Sequence, residues 1–182
     1  MKSIMTIIFA IFIISGAMGV VYIIFYNNLQ ACKIKINEAE GIIDELLRKK
    51  YDTLNLIRDV IVDETKLPKK TFDDFKKLKE INISSFDFER KLAEYNGLIN
   101  KIKDDYDKLN NDTRFNNYYE DIYQINEKLE AAKSFYNKYT SMLNKAIKSF
   151  PSNIIAFAHK MKTQAFFDGK DMFDDDIKDF KL

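Results

Sequence analysis

The sequence predicts an all-α protein: an N-terminal transmembrane helix followed by an elongated antiparallel helical bundle of about four helices. Three observations carry this expectation. The first 32 residues hold one charged side chain, Lys2, although 31% of the whole chain is charged. From Leu29 onward, apolar residues recur at three- and four-residue steps. Five glycines and two prolines among 182 residues are too few for a sheet-rich domain with many tight turns.

The anchor is read first. Ile4 to Tyr26 runs without a charge, through Ile14 and Val20. A helix of that length reaches roughly 34 Å, and the hydrocarbon core of a bilayer is about 30 Å thick. Tyr22 and Tyr26 lie near one end, where a ring with a polar tip suits the interface. A cleaved signal peptide would stop at small residues such as Ser15-Gly16-Ala17, but Val20 to Phe25 carries the apolar run past them. Leu29-Gln30-Ala31-Cys32 loosely resembles a lipobox. Gln30 fits it poorly, and a small apolar-facing cysteine on a helix is the better reading. Ser15 and Gly19 form a small-xxx-small pair that would let two anchors pack as a homo-oligomer.

The bundle follows. Ile36, Ala39, Ile43, Leu46, Leu47, Leu54, Ile57 and Ile61 make one apolar stripe, with no break separating it from the anchor. Pro68 marks a turn. Phe72, Phe75, Leu78 and Ile81 then suggest a short amphipathic piece, with Thr71-x-x-Asp74 as its cap, and Ser84-x-x-Asp87 caps the next helix. Phe88, Leu92, Tyr95, Ile99, Ile102, Tyr106 and Leu109 alternate steps of four and three. After Asn110-Asn111-Asp112, a longer series runs from Tyr118 to Phe150 at a mean step near 3.5, which keeps an apolar seam aligned with its neighbours. An intermolecular coiled coil would use the same seam. The short turns at Pro68 and Asn110 favour folding back within one chain.

Pro151 must end or kink the last long helix. The apolar group Pro151, Ile154, Ile155, Ala156, Phe157, Met161, Phe166 and Phe167 reads as a cap over one end of the bundle, or as a contact site for a partner or for lipid. Residues 169–182 form an acidic tail, expected to be disordered. Its Asp174-Asp175-Asp176 run lacks the glycine turn and distant glutamate of a calcium loop. The chain thus divides into an anchor (1–27), a bundle (28–168) and a tail (169–182).

Reactive chemistry is sparse in the sequence. His159 is the one histidine and Cys32 the one cysteine, with no serine elbow, P-loop, HExxH or GxGxxG motif. A net charge of +1 argues against broad nucleic-acid binding. The expectation is a non-enzymatic protein with no cofactor and no metal site.

Several motifs form a pattern. Tyr136-Asn137, then Ile147-Lys148-Ser149-Phe150-Pro151-Ser152-Asn153-Ile154-Ile155-Ala156, then Phe166-Phe167, resembles the closing signature of the LemA family of bacterial membrane proteins. Tyr26-Asn27-x-Leu29, Leu46 to Leu54, the Asn111 to Phe115 turn, Glu127 and Ala132-Lys133 are similar to further elements of that family. The resemblance covers both ends and fades between Val62 and Lys108. Ala158-His159-Lys160-Met161 stands where the family often has Gly-Phe, and no proline stands near Tyr106.

The resemblance implies an N-terminal membrane helix with a short outer N-terminus and a helical soluble domain, with no catalytic residues to carry over. A related member is associated with magnetosome membrane formation, which suggests membrane organisation by analogy. The expected function is a single-pass scaffold or adaptor at the bacterial inner membrane. Lys33 and Lys35, against Lys2, favour a cytoplasmic bundle. Expected partners are the lipid bilayer and another membrane or envelope protein. The alternative is a sensor or regulatory subunit of an envelope protease or transporter. The residues singled out are Phe150, Pro151, Asn153, Ile154 and Ile155, together with Phe166 and Phe167. Phe150 and the isoleucines are expected to pack, and Asn153 to bind helix-end carbonyls.

Overall fold

The computed structural model describes residues 2–76, 78 and 83–167. The expected acidic tail and Ile81 lie outside these. Every regular element among the described residues is helical: α1 (Lys2–Thr65), a 3-10 turn (Lys69–Phe72), α2 (Asp73–Lys76), α3 (Ser85–Asp105), α4 (Asp107–Asn110), α5 (Thr113–Lys148) and α6 (Ser152–Ala158). The chain forms two compact units, residues 39–135 and residues 1–38 with 136–182.

The first of these is a bundle of α1, α3 and α5. Its interior is built from the apolar stripes: Ile43, Leu47, Leu54, Ile57 and Ile61 of α1, Leu92, Ile99 and Ile102 of α3, and Phe115, Ile122, Ile125 and Leu129 of α5. Polar contacts fix the directions. The Ser85 hydroxyl at the start of α3 donates to Asp44 of α1, and the Tyr51 ring packs at 6.0 Å from Phe88, so these helices run parallel. Tyr119 donates to Asn100 at 3.0 Å, and Lys133 lies 3.7 Å from Glu89, so α5 runs antiparallel to α3. Arg114 reaches Glu64 near the end of α1 at 3.1 Å.

Parallel α1 and α3 need a return connection, and residues 66–84 supply it. The expected amphipathic piece is therefore short. Phe72, Phe75 and Leu78 are buried as their spacing suggests. The Phe75 ring stacks on Tyr95 at 3.7 Å and packs at 4.7 Å from Tyr51, plugging the gap between α1 and α3. Its helical turn starts at Lys69 after Pro68, which provides no side-chain cap. The anticipated Thr71-x-x-Asp74 cap involves the Asp74 side chain, which lies outside the described residues. The Ser84 cap is present, its hydroxyl accepting the Asp87 amide at 3.1 Å.

Two other details differ from the sequence reading, and the burial of one lysine adds a third feature. The helix expected through Leu109 breaks at Tyr106, whose backbone is extended (φ −130, ψ 88). Asp104, Asp105 and Asp107 surround that break, and acidic residues at a helix C-terminus oppose the helix dipole. The buried seam of α5 begins at Phe115, one turn before Tyr118. Lys50, within a charged Arg48-Lys49-Lys50 run, is buried. Burial pushes its ammonium below the usual lysine range, and the nearby Glu89 carboxylate offsets part of that cost.

The Asp112 cap sets where α5 starts. Its carbonyl accepts the first helical bond from Asn116 at 3.1 Å, and its carboxylate accepts the Phe115 amide at 2.9 Å. Arg114 adds a contact to the same carboxylate at 3.1 Å. The Phe115 amide first, and then Arg114, hold the Asp112 carboxyl below its ordinary value of 3.8. A depressed carboxyl stabilises the fold above the unfolded-state value and loses that contribution as pH falls through the folded-state one. Asp112→Ala is therefore expected to lower the thermal midpoint at neutral pH. The melting temperatures of the two proteins should begin to draw together as the pH falls below about 4 and meet only below the depressed folded-state value. A gap that stays constant with pH would show that the carboxylate is not responsible.

Candidate functional site

The sharpest motif of the sequence lies in the unit formed by residues 1–38 and 136–182. Here α1 changes solvent along its length. Residues 3–24 are exposed all round, and the helix is long and apolar enough to cross a membrane. Immediately beyond, Phe25 and Tyr26 are half-buried and Leu29 and Ile36 are buried. They pack with Leu143 of α5 and with Ile155 and Ala156 of α6 in one cluster, to which Cys32, Tyr139, Ile147 and Met161 add their partly buried sides. Cys32 thus fits the reading of a small, inward-facing helical residue, and burial pushes its thiol upward.

The turn from α5 into α6 is tied by its own side chains. The Phe150–Pro151 peptide is cis. The Ser152 hydroxyl lies 2.6 Å from the Ala146 carbonyl and 2.8 Å from that of Ser149, so its one proton is shared between two carbonyls at the end of α5. That role was expected of Asn153. The structure assigns it to Ser152, which is buried, while the Asn153 backbone N–H donates to Ser149 at 2.8 Å. A short hydroxyl one residue earlier points back at the helix end, which the Asn153 side chain on the next position does not.

Beyond α6 the chain reverses. Lys160 adopts a left-handed conformation (φ 51). The Met161 amide donates to Ala156 at 2.9 Å and the Lys160 amide to Phe157 at 3.0 Å, the paired bonds of a Schellman ending. Glycine usually fills that left-handed position, which gives a physical sense to the departure at Ala158-His159-Lys160-Met161.

Residues 161–167 then run back along α5. Asn144, 1% exposed, donates to the Gln164 carbonyl at 2.7 Å and accepts the Gln164 amide at 2.8 Å. Two turns earlier on the same helix face, the Asn137 side chain accepts the Phe167 amide at 2.8 Å. Tyr136 donates to Ala165 at 3.3 Å, and its ring meets Phe167 edge-on at 6.2 Å. The Tyr-Asn pair and Phe167, thirty residues apart in sequence, are thus two sides of one clamp. Asn144 escaped the sequence reading because one more asparagine in a polar helix carries no signal by itself.

His159 closes the arrangement. Its Nε2 lies 2.6 Å from the Tyr22 hydroxyl, and its ring centroid 4.7 Å from that of Tyr26. The one histidine is therefore occupied with the tyrosines of the anchor.

The singled-out residues separate into two groups. Ile155 packs inward as expected, and Phe167 joins the clamp. Phe150 (79% exposed) and Ile154 (61%) were expected to pack and do not; Phe157 is 86% exposed beside them. Among the described residues, no group of histidine, cysteine or carboxylate side chains has the arrangement of a metal site.

A sequence profile of the LemA family matches residues 39–178. The chain belongs to the LemA family. The match takes in the Tyr136-Asn137 pair, the Phe-Pro turn, α6 and the clamp, and the apolar part of α1 precedes it. No curated protein and no solved structure matches the chain. In this member of the family, the signature residues hold the C-terminal segment against α1 and α5. Family membership and the exposed apolar helix together point to membrane anchoring.

Replacing Asn144 by alanine removes both bonds to Gln164 and strands two backbone groups, at an expected cost of roughly 2 kcal/mol. Amide hydrogen exchange should localise the effect. Exchange at Gln164 and Phe167 is expected to accelerate strongly, with the interior of the 39–135 bundle unchanged. Uniform acceleration throughout the chain would contradict a local clamp.

Proposed function

We propose that this LemA-family chain is a single-pass scaffold or adaptor of the bacterial inner membrane, with its N-terminus outside and its helical bundle in the cytoplasm. Its role is to hold an assembly surface at the membrane, acting by binding rather than by catalysis. Its partners are the bilayer and another membrane or envelope protein.

The observation that carries the orientation is a charge asymmetry brought together by the fold. No acidic residue precedes Glu38, and none lies between Glu130 and Asp168. Among the described residues of the membrane-proximal unit, Glu38 is therefore the one acid, and it pairs with Lys35 at 2.7 Å. Lys33, Lys138, Lys145, Lys148, Lys160 and Lys162 supply positive charge around it. By sequence distance only Lys33 and Lys35 flank the anchor. Packing of α5 and α6 on α1 adds the lysines of the C-terminal segment. Basic residues next to a span favour the cytoplasmic side and attract its anionic lipids.

Protease accessibility tests this orientation. In spheroplasts the bundle is expected to resist added protease, and in inverted membrane vesicles to be digested down to the anchor. Digestion in spheroplasts with protection in inverted vesicles would reverse the orientation and remove cytoplasmic partners from consideration.

A further inference from the structure

α6 is apolar on two opposite faces. Ser152, Ile155 and Ala156 are buried against the rest of the unit. Ile154 and Phe157, three residues apart and so neighbours on the helix surface, point away from it, and Phe150 of the preceding turn is equally uncovered. Ile154 and Phe157, together with Ile147, Asn153 and Met161, border a shallow, mostly apolar depression. A face of this kind needs an occupant.

Its position names the occupant. His159, directly after α6, contacts Tyr22 as well as Tyr26. Tyr22 lies within the uncharged run, one helical turn (about 6 Å along the axis) on the membrane side of Tyr26. The end of α6 is therefore level with the last turn of the membrane-crossing segment, where headgroups meet acyl chains. Lys145, Lys148, Lys160 and Lys162 flank the apolar group on both sides in sequence, and no carboxylate intervenes. Aromatic and aliphatic residues next to lysines, at the depth of an interface, form the composition of a segment that lies in the membrane surface. We infer that the Phe150–Phe157 turn and helix are a second membrane-contacting element, inserting Phe150, Ile154 and Phe157 into the bilayer interface beside the anchor while the lysines meet anionic headgroups. This rests on the membrane reading of α1, and it gives the C-terminal motif a lipid ligand. The element lies on the surface of the bilayer without spanning it.

The chain contains no tryptophan, so single tryptophans report without background. The full-length chain would be reconstituted as Phe157→Trp, Phe150→Trp and Phe12→Trp. The vesicles would contain phosphatidylcholine and phosphatidylglycerol, with bromines placed either near the glycerol end of the acyl chain or near the bilayer centre. Phe12→Trp, within the span, is expected to be quenched by the deep bromines and reports anchoring alone. Phe157→Trp and Phe150→Trp are expected to lose emission roughly twofold or more with the shallow bromines and much less with the deep ones. Both should be shielded from aqueous iodide. Quenching at position 12 with none at 150 and 157 would overturn the inference while leaving the anchor intact. Shielding from iodide without bromine quenching would overturn it too, since a second copy or another protein would then cover the face. Circular dichroism matching the parent chain keeps a negative result meaningful.

Discussion

A seven-residue helix can bury one face against its own chain, and in α6 that face is chosen by the groove between α1 and α5. Ile155 and Ala156 enter the cluster around Leu29, Ile36 and Leu143. Ser152, on the same side, ties off the end of α5. Once these three point inward, helix geometry leaves Ile154 and Phe157 outward, whatever their hydrophobicity. Much of what is distinctive in the membrane-proximal unit follows from this one constraint. It positions His159 on the anchor tyrosines, directs the left-handed reversal at Lys160, and delivers residues 161–167 to the asparagines of α5.

The clamp shows why the constraint holds. A seven-residue helix has little stability of its own, because isolated helices of this length are marginal in water. Asn137 and Asn144 supply what it lacks by treating an extended segment as a strand partner, matching its backbone N–H and C=O groups with amide side chains. The buried Asn144 and the half-buried Asn137 specify one register, since a shifted segment would leave polar atoms without partners. This is a use for a Tyr-Asn motif that involves no chemistry on a substrate.

The sequence reading recovered the elements better than their faces. The anchor, the stripes of α1, α3 and α5, the Ser84 cap and the family signature all rest on periodicity or local chemistry, which sequence displays directly. The direction of α3 depends on the return connection, where Phe72 and Phe75 fill a gap visible only in three dimensions. The break at Tyr106 lacks glycine and proline to announce it. At the candidate site, hydrophobicity marked Phe150, Ile154 and Ile155 alike. Which of them is inside depends on packing of α6 between α5, which directly precedes it, and α1, far earlier in the sequence. The lysines of the C-terminal segment likewise looked distant from the anchor until folding brought them to it.

The contact between the end of α6 and the anchor carries the most weight, because both the packing of the unit and the membrane contact depend on it. It can be measured in the bilayer. With Cys32 replaced by serine, cysteines at Tyr22 and His159 would be treated with a short bismaleimide in proteoliposomes. One intramolecular crosslink is expected in most chains, lost when Asn144 is also replaced by alanine. Complete modification of both thiols without a crosslink, or crosslinks formed between chains alone, would contradict it.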